Sequence, residues 1–562
     1  MDTTYKITII AILLVIFLIC KGVYDERKYR HRLYKHLKDS WGKPSRKEYT
    51  YDIMEAIKYY YNQSRQDGDV DDITCNDLNM DAVYACINHT QTSIGEEYLY
   101  MLLRKPCTDI SVLKEREDII NLIDTSGDKR TKLQAALAVM GKLDKISVYQ
   151  YFEKAGSVEI GNKLYHICCG LALVISILLC LIKPEVFVLV SVFVIIYNVL
   201  SYYKNKAKVD HYIKIFAFVA RTRIQSEDIA KVEIDGLSKY QERLLKCTKS
   251  LKKFSKNSWI VSGSNMGGSI ADSLMDYIRI LFHIDLIKMC NMAHELKKHK
   301  DELIEIFNII GYIDSMVSVA SFRAGLKSWC VPKLYNTTGK KDIKMEFTDL
   351  YHPLIENPVK NSIKTDRGIL ITGSNASGKS VFIKTVAVNA IFAQTIHTVL
   401  AKNYKSCFYH IYSSMALRDD IFNSESYYIV EIKSLKRILD KALEAKIPVL
   451  CFIDEVLRGT NTLERIASSS EILRQIAKLG SMCFAATHDL ELSKILAGYF
   501  NNYHFEETVE ENNVVFDYKL REGSTNTRNA IKLLNMIGYD PSVILRAERA
   551  AQYFLENGVW KV

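Results

Sequence analysis

Eight residues constrain this chain more than any others. Gly373-Ser-Asn-Ala-Ser-Gly-Lys-Ser380 stands between Gly368-Ile-Leu-Ile-Thr372, a short uncharged run, and the helical stretch Val381 to Ala393. A short apolar run bounded by turn residues reads as a buried strand, so the local order is strand, loop, helix. In that order the spacing Gly-x-x-x-x-Gly-Lys-Ser cradles polyphosphate. Gly373 and Gly378 let the backbone curl until successive amides, from Ser374 through Asn375, Ala376 and Ser377, face the phosphates, and the helix that follows adds the positive end of its dipole. Lys379 then reaches the β- and γ-phosphates of ATP, and the Ser380 hydroxyl is placed to ligate Mg2+.

Pro448-Val-Leu-Cys-Phe-Ile453 is a second apolar strand, and it ends in Asp454-Glu455. An acidic pair after a strand is, taken alone, more often a helix cap. Beside a phosphate loop the catalytic reading takes over, with Asp454 in the magnesium shell and Glu455 orienting and deprotonating the attacking water. A third apolar strand, Met482 to Ala486, ends in Thr487-His488-Asp489. A lone histidine is usually structural, but at a third strand tip His488 reads as a γ-phosphate sensor.

At 562 residues the chain exceeds one ordinary core, and two or more domains are expected. Only 8 Pro and 25 Gly leave little room for low-complexity linkers and favour long helices. The net charge of +10 suits an anionic partner, nucleic acid or phospholipid, without choosing between them. The 13 cysteines include no Cys-x-x-Cys pair and read as reduced thiols.

Three apolar runs point to a membrane. Ile7 to Cys20 lies between Lys6 and Lys21, and the bulky Phe17, Leu18 and Ile19 argue against signal cleavage, which leaves an uncleaved anchor. Leu164 to Ile182 and Val186 to Tyr203 are separated only by Lys183-Pro184-Glu185 and read as a hairpin, against the alternative of two buried core helices, because neither has a polar face. Lys21, Arg27, Lys28, Arg30, Arg32, Lys35 and Lys38 follow the first run, and Lys204, Lys206 and Lys208 follow the third. Both flanks are therefore expected in the cytoplasm, with the N-terminus outside and the phosphate loop inside.

The segments Thr372 to Ser380, Ile453-Asp-Glu-Val-Leu-Arg-Gly-Thr-Asn-Thr462 and Ala486-Thr-His488 closely resemble the ATPase domain of the MutS family of DNA mismatch-repair proteins, with Arg458-Gly459-Thr460 the most family-specific part. Tyr351-His-Pro-Leu-Ile-Glu356 is similar to the start of that domain. Asp419-Asp420 through Ser426 to Glu431 resembles its signature segment, and Phe516 to Gly523 its closing strand. Ala530 to Ile537, Gly538 and the helix led by Pro541 and capped by Asp540 resemble its terminal helix-turn-helix. Asn79 to Ile120 and residues 205 to 330 look like the two halves of the family's lever.

The resemblance implies an ABC-like α/β P-loop ATPase domain over 331–525 and a helix-turn-helix over 526–562. They follow an all-α core or lever over 71–330 that is interrupted by the transmembrane hairpin 164–203. Residues 1–23 would be the anchor and 24–70 a basic juxtamembrane segment. It also implies an ATPase that uses ATP and Mg2+, binds DNA, and works as a homodimer in which Ser426 acts on the partner's γ-phosphate.

Two departures matter. About fifty residues separate the first span from the lever, too few for mismatch-reading and connector domains, and no Phe-x-Glu element stands in a suitable setting. DNA structure, rather than a mismatch, is therefore the expected target. The other departure is the membrane hairpin, inserted where the family has soluble helices, which implies a membrane-anchored offshoot. The signature segment also departs, with no glycine near Ser424 and with Tyr427-Tyr428 in place of the family's usual Thr-Phe.

Competing readings are a transporter driven by an ABC-type ATPase and a structural tether that binds ATP without turnover. Three spans with no Leu-Ser-Gly-Gly-Gln segment and no charged residue beyond His166 disfavour the first, and an intact Glu455 disfavours the second. The stretch Arg243, Lys246, Lys249, Lys252, Lys253 and Lys256 reads equally as a phosphate-binding face and as a solvated one.

Overall fold

A computed structural model describes residues 2–45, 47–154, 161–255, 270–337, 342–374, 377–415, 427–457, 460–510, 513–524 and 537–560, with residues 531 and 534. The chain divides into two compact units. One comprises Met1–Arg65, Ile87–Met101 and Glu117–Gly325, and the other Gln66–Cys86, Leu102–Arg116 and Leu326–Val562.

The first unit is helical throughout its described residues. Its core is built on the helix Lys300–Gly325, which buries Ile306, Phe307, Ile310, Ile313, Met316 and Val317. Polar pins fix that helix in register. The fully buried Asp314 accepts the backbone N–H of Thr92 at 2.9 Å and its hydroxyl at 2.7 Å, which holds the start of the helix Ser93–Arg104. Arg323 donates two hydrogen bonds to Glu117, at 2.8 and 2.6 Å, in a buried pair whose one-sided loss would cost about 3–5 kcal/mol.

Among the described residues two helices are long and apolar enough to cross a membrane, and burial separates them. In the most apolar stretch of the core helix Lys300–Gly325, 78% of the residues are buried, against only 22% in that of the segment Pro184–Ala207. That segment and the shorter helix Lys163–Leu179 pack on each other while turning Leu171, Ile177, Phe193 and Leu200 outward. The turn between them restarts at Pro184, whose missing N–H costs nothing in the first helical turn.

These helices do not stop where the apolar runs stop. Pro184–Ala230 is one helix of 47 residues. Asp2–Ser40 is likewise one helix of 39 residues, joining the apolar start of the chain to the basic segment after it. It ends at Gly42, which holds φ +71 and passes so close to the core helix that an added Cβ would lie 3.1 Å from the Ala324 carbonyl carbon.

The second unit carries two sheets. Its strands are β1 (Lys333–Tyr335), β2 (Met345–Leu350), β3 (Asn361–Thr365), β4 (Gly368–Thr372), β5 (Asn403–Cys407), β6 (His410–Ser414), β7 (Val449–Asp454), β8 (Met482–Ala486), β9 (Phe500–Glu510) and β10 (Asn513–Glu522). The smaller sheet has the order β1-β5-β2-β3, and the larger β10-β9-β4-β8-β7-β6. From β9 to β6 all pairs are parallel, and β10 closes the edge antiparallel.

Every residue of β4, β7 and β8 is buried. That is the burial of a parallel sheet covered on both faces, and it explains why these strands read as continuous apolar runs. Leu435, Ile438, Leu473 and Ile476 from the covering helices Tyr427–Glu444 and Thr462–Lys478 pack on Leu370, Cys451, Ile453 and Ala485 of the sheet. Gln66–Cys86 belongs to this unit: Asp77 accepts the Ser413 hydroxyl at 2.6 Å and the Met415 N–H at 3.0 Å, and Asp71 pairs with Arg437 at 2.5 Å. Among the described residues every cysteine is a free thiol.

Candidate functional site

The buried β4 delivers the chain into the loop that starts at Gly373, and the helix Lys379–Thr395 leaves it after Gly378. Gly373 holds φ +145 and Gly378 φ +101. A Cβ at Gly373 would stand 2.9 Å from Ser377 Oγ and 3.0 Å from the Phe505 carbonyl, and one at Gly378 would stand 3.0 Å from the Tyr518 ring. Both conformation and space demand glycine. The Ser377 hydroxyl donates to the Ser374 carbonyl at 2.8 Å and closes the loop on itself, while the Ser374 hydroxyl donates to Glu507.

Lys379 is buried, and its Nζ donates to the carbonyl oxygens of Gly373 at 2.6 Å and Ser374 at 2.7 Å. The ammonium is thus folded over the mouth of the loop, on acceptors that an incoming phosphate would replace with stronger, charged ones. Ser380 follows in the first helical turn, partly exposed. Asn375 and Ala376 lie outside the described residues.

Asp454 closes β7 opposite Ala486 of β8. Its Oδ1 is buried and has no hydrogen-bond partner among the described residues. A buried carboxylate oxygen without a donor is costly unless a cation meets it, so the donor set Asp454 and Ser380, all hard oxygen, fits Mg2+.

Glu455 turns sharply out of the strand at φ +59, and its N–H donates to the Ala486 carbonyl at 3.0 Å. Leu457 repeats the left-handed conformation at φ +59, and its N–H donates to the Glu431 carboxylate. Each such non-glycine residue stores on the order of 1–3 kcal/mol, held here by the surrounding hydrogen bonds. The Glu455 carboxylate is 8% exposed and lies 3.5 Å from His488 Nδ1. Glu455 raises the His488 pKa above its ordinary value, chiefly through this contact, against the burial that lowers it.

The tip of β8 is itself fixed. The Thr487 N–H donates to the Ile371 carbonyl of β4 at 2.9 Å, and Arg465 grips Asp489 with Nε at 2.9 Å and Nη2 at 2.6 Å. Asn461 caps the helix that carries Arg465, accepting the Leu463 N–H at 3.0 Å. The structure therefore brings Asp454, Glu455 and His488 together at the ends of two neighbouring strands, with β8 paired on its other side to β4, which leads into the loop. Ser426, Arg458 and Gly459 lie outside the described residues.

Sequence reasoning missed one part of the site. Beside Gly378 opens a cavity of about 310 Å³ whose walls include His352, Pro358, Val359, Phe382 and Tyr518. Burial and the nearby Lys384 hold His352 down to about 4, so its ring is neutral at physiological pH. Tyr518 stands at φ +52, fastened by Asn361, whose Nδ2 donates to the Tyr518 carbonyl at 3.1 Å and whose Oδ1 accepts the Leu520 N–H at 2.9 Å. A neutral, largely apolar and aromatic slot beside a phosphate loop suits a flat heterocycle. Its walls come from four separate stretches of chain, and no local spacing announces them. The Arg465–Asp489 clamp was likewise unread, although both residues flank motifs that were.

Residues 369–555 match the sequence profile of MutS domain V. The chain is 30% identical over 281 residues to the DNA mismatch repair protein MutS of Thermotoga petrophila, a match covering 48% of this chain and 34% of that protein. It is 27% identical over 318 residues to human MutS protein homolog 4, covering 52% and 32% respectively. To the DNA mismatch repair protein MutS of Persephonella marina it is 29% identical over 260 residues, covering 44% and 29%. The chain thus spans about a third of the length of the curated relatives it matches.

Proposed function

We propose that the protein is a membrane-anchored ATPase of the MutS kind, which binds DNA by its shape and changes conformation as it binds and hydrolyses ATP. The observation that carries the reading is the convergence of a glycine-built phosphate loop, an orphaned Asp454 oxygen and the Glu455–His488 pair at the ends of neighbouring strands of one sheet.

In this reading the ATP phosphates draw Lys379 away from its two carbonyls, and the base enters the slot walled by His352 and Tyr518. Ser380 and Asp454 would hold Mg2+, which when bound neutralises charge on the β- and γ-oxygens. Glu455 accepts the proton of the attacking water, and His488 contacts the γ-phosphate. Ser426 completes the site of a second copy, so the active form is a homodimer.

DNA enters the reading through the MutS-like C-terminal region and the basic surface that includes Arg243, Lys246 and Lys249. The membrane enters the reading through the outward apolar side chains of 164–203, and the lysines that follow them favour a cytoplasmic ATPase region.

The test is ATP hydrolysis by the full chain in lipid nanodiscs, with and without duplex and branched DNA. DNA-stimulated turnover is expected, and nucleotide binding without turnover would replace the proposal by a tether. Protease digestion of intact cells tests the topology, since cleavage of the ATPase region from the outer face would overturn it.

A further inference from the structure

The helical unit contains a cavity of about 420 Å³, remote in sequence from every residue of the candidate site. Its walls are the end of the first helix and the turn after it (from His36 to Ser45, with Lys47), the stretch Asn88–Gln91, the side chains of Gln134, Ala138 and Lys142, and Ser321 of the core helix. That volume falls in the range of small-molecule sites.

Three lysines, Lys43, Lys47 and Lys142, converge there against one carboxylate. Glu96 is shared: Lys142 pairs with it, Lys47 Nζ stands 4.0 Å from it, and Asn88 Nδ2 donates to it at 3.2 Å. The next nearest carboxylate, Asp314, is engaged by the N–H groups of Gln91 and Thr92 and the Thr92 hydroxyl.

The cations outnumber the carboxylate they share. Burial, then the charge of Lys142 and a direct contact with its side chain, push Lys47 down to about 7, with Glu96 and Asp314 pulling back. His89 is held down to about 4 by burial and by the same two lysines. In the same cavity the Ser45 hydroxyl oxygen is buried and has no partner among the described residues. Lys43 and Lys47 stand at the exposed rim of the cavity and Lys142 lies deeper, while the partnerless Ser45 hydroxyl lines the same wall.

We propose that this cavity binds a small phosphate-bearing anion, gripped by Lys47 and Lys142 and capped by Lys43 and the Ser45 hydroxyl. A dianion would offset the two crowded ammonium groups and offer oxygens to the hydroxyl at once. The ligand is a diffusing one rather than a bilayer headgroup. From Lys21, where the first apolar run ends, to Ser40 the helix is unbroken and about 30 Å long, which sets the cavity well away from that run.

The test uses the full chain in nanodiscs, with ATP already bound so that the phosphate loop is filled. Lysine acylation is mapped residue by residue with mass spectrometry near neutral pH, with inorganic phosphate, with glycerol 3-phosphate, and with vesicles of anionic phospholipid. Lys47 should be among the most reactive lysines, and the soluble phosphates should reduce its labelling by about tenfold at saturation. Unchanged labelling of Lys47 with both soluble probes, or protection by vesicles alone, would overturn the proposal.

Lys142→Gln would strand the buried Glu96, so the variants are Lys47→Gln and Ser45→Ala. Lys47→Gln should abolish the thermal stabilisation given by glycerol 3-phosphate, Ser45→Ala should weaken it, and both should keep the stabilisation given by ATP. A glycerol 3-phosphate effect that survives in a folded Lys47→Gln protein would also overturn the assignment.

Discussion

Exchanging Glu455 for Gln removes a proton acceptor while keeping the size of the side chain. The structure indicates how little else should change. The backbone at this position is fixed by its N–H bond to Ala486 at 3.0 Å and its left-handed φ of +59, neither of which involves the carboxylate. The side chain is 8% exposed, and one of its contacts is His488 Nδ1 at 3.5 Å, which a glutamine oxygen can also reach. Nucleotide affinity should therefore stay within about threefold, under about 0.7 kcal/mol. The chemical step should slow by roughly 10²–10⁴, about 2.7–5.5 kcal/mol on the barrier, as expected for loss of a general base. Equilibrium binding of ATP and single-turnover hydrolysis, measured on one preparation, separate the two quantities. Lys379→Ala is the contrasting variant and should lose binding itself, because no other described ammonium covers the loop carbonyls. Hydrolysis by Glu455→Gln at the unmodified rate would refute the assignment of the base.

Arg465→Ala strips the buried Asp489 of both guanidinium hydrogen bonds and leaves it, among the described residues, only the longer His488 contact at 3.9 Å, so denaturant unfolding should show a loss of about 3–5 kcal/mol; a loss under about 1 kcal/mol would mean that the clamp is not structural. His488 should titrate above its ordinary 6.5 in NMR and fall back in Glu455→Gln, because its attraction to Glu455 is complete below the unfolded pKa and fades as pH rises through the raised folded one; an unchanged pKa would contradict the pairing. A Ser426→Ala subunit mixed with a Lys379→Ala subunit should regain one working site, and a fully active monomer would sink the shared-site reading. DNA affinity should fall steeply with salt and favour a mismatch by less than about tenfold, under about 1.4 kcal/mol; a salt-matched preference near a hundredfold would reveal a recognition element not yet identified.

What could be read from sequence followed from which residues must be buried whatever their neighbours. Gly368–Thr372, Pro448–Ile453 and Met482–Ala486 stand out as apolar runs because a parallel sheet hides both faces of a strand, and β4, β7 and β8 occupy nearly those residues. The carboxylates and the histidine were visible because they follow those runs directly. The slot beside Gly378 was not, because His352, Phe382 and Tyr518 meet only after β10 has paired with β9 across the sheet edge. Nor was the docking of Gln66–Cys86 on β6, where Asp77 holds Ser413 across a long sequence gap. Helix ends after apolar runs were equally hidden. Hydropathy reports the medium around a helix, whereas its length is set by backbone bonds that continue into polar sequence.

That last distinction bears on how an anchor would work in this chain. Pro184–Ala230 is about 70 Å of continuous helix. Its first part turns Phe193 and Leu200 outward, and its later part buries Phe216, Phe218 and Val219 in the core of the helical unit. Asp2–Ser40 repeats the arrangement, apolar at its start and with Leu37 buried near its end. In both helices the described chain between the apolar run and the core has regular backbone hydrogen bonding, where a tether built for slack would place glycine, proline or polar coil. A force on the apolar segments is therefore delivered to the helical core without a slack segment to absorb it. Under the proposed membrane anchoring, nucleotide-driven movement of that core would tilt or shift these helices with it, and the bilayer would then load the ATP cycle rather than moor it passively.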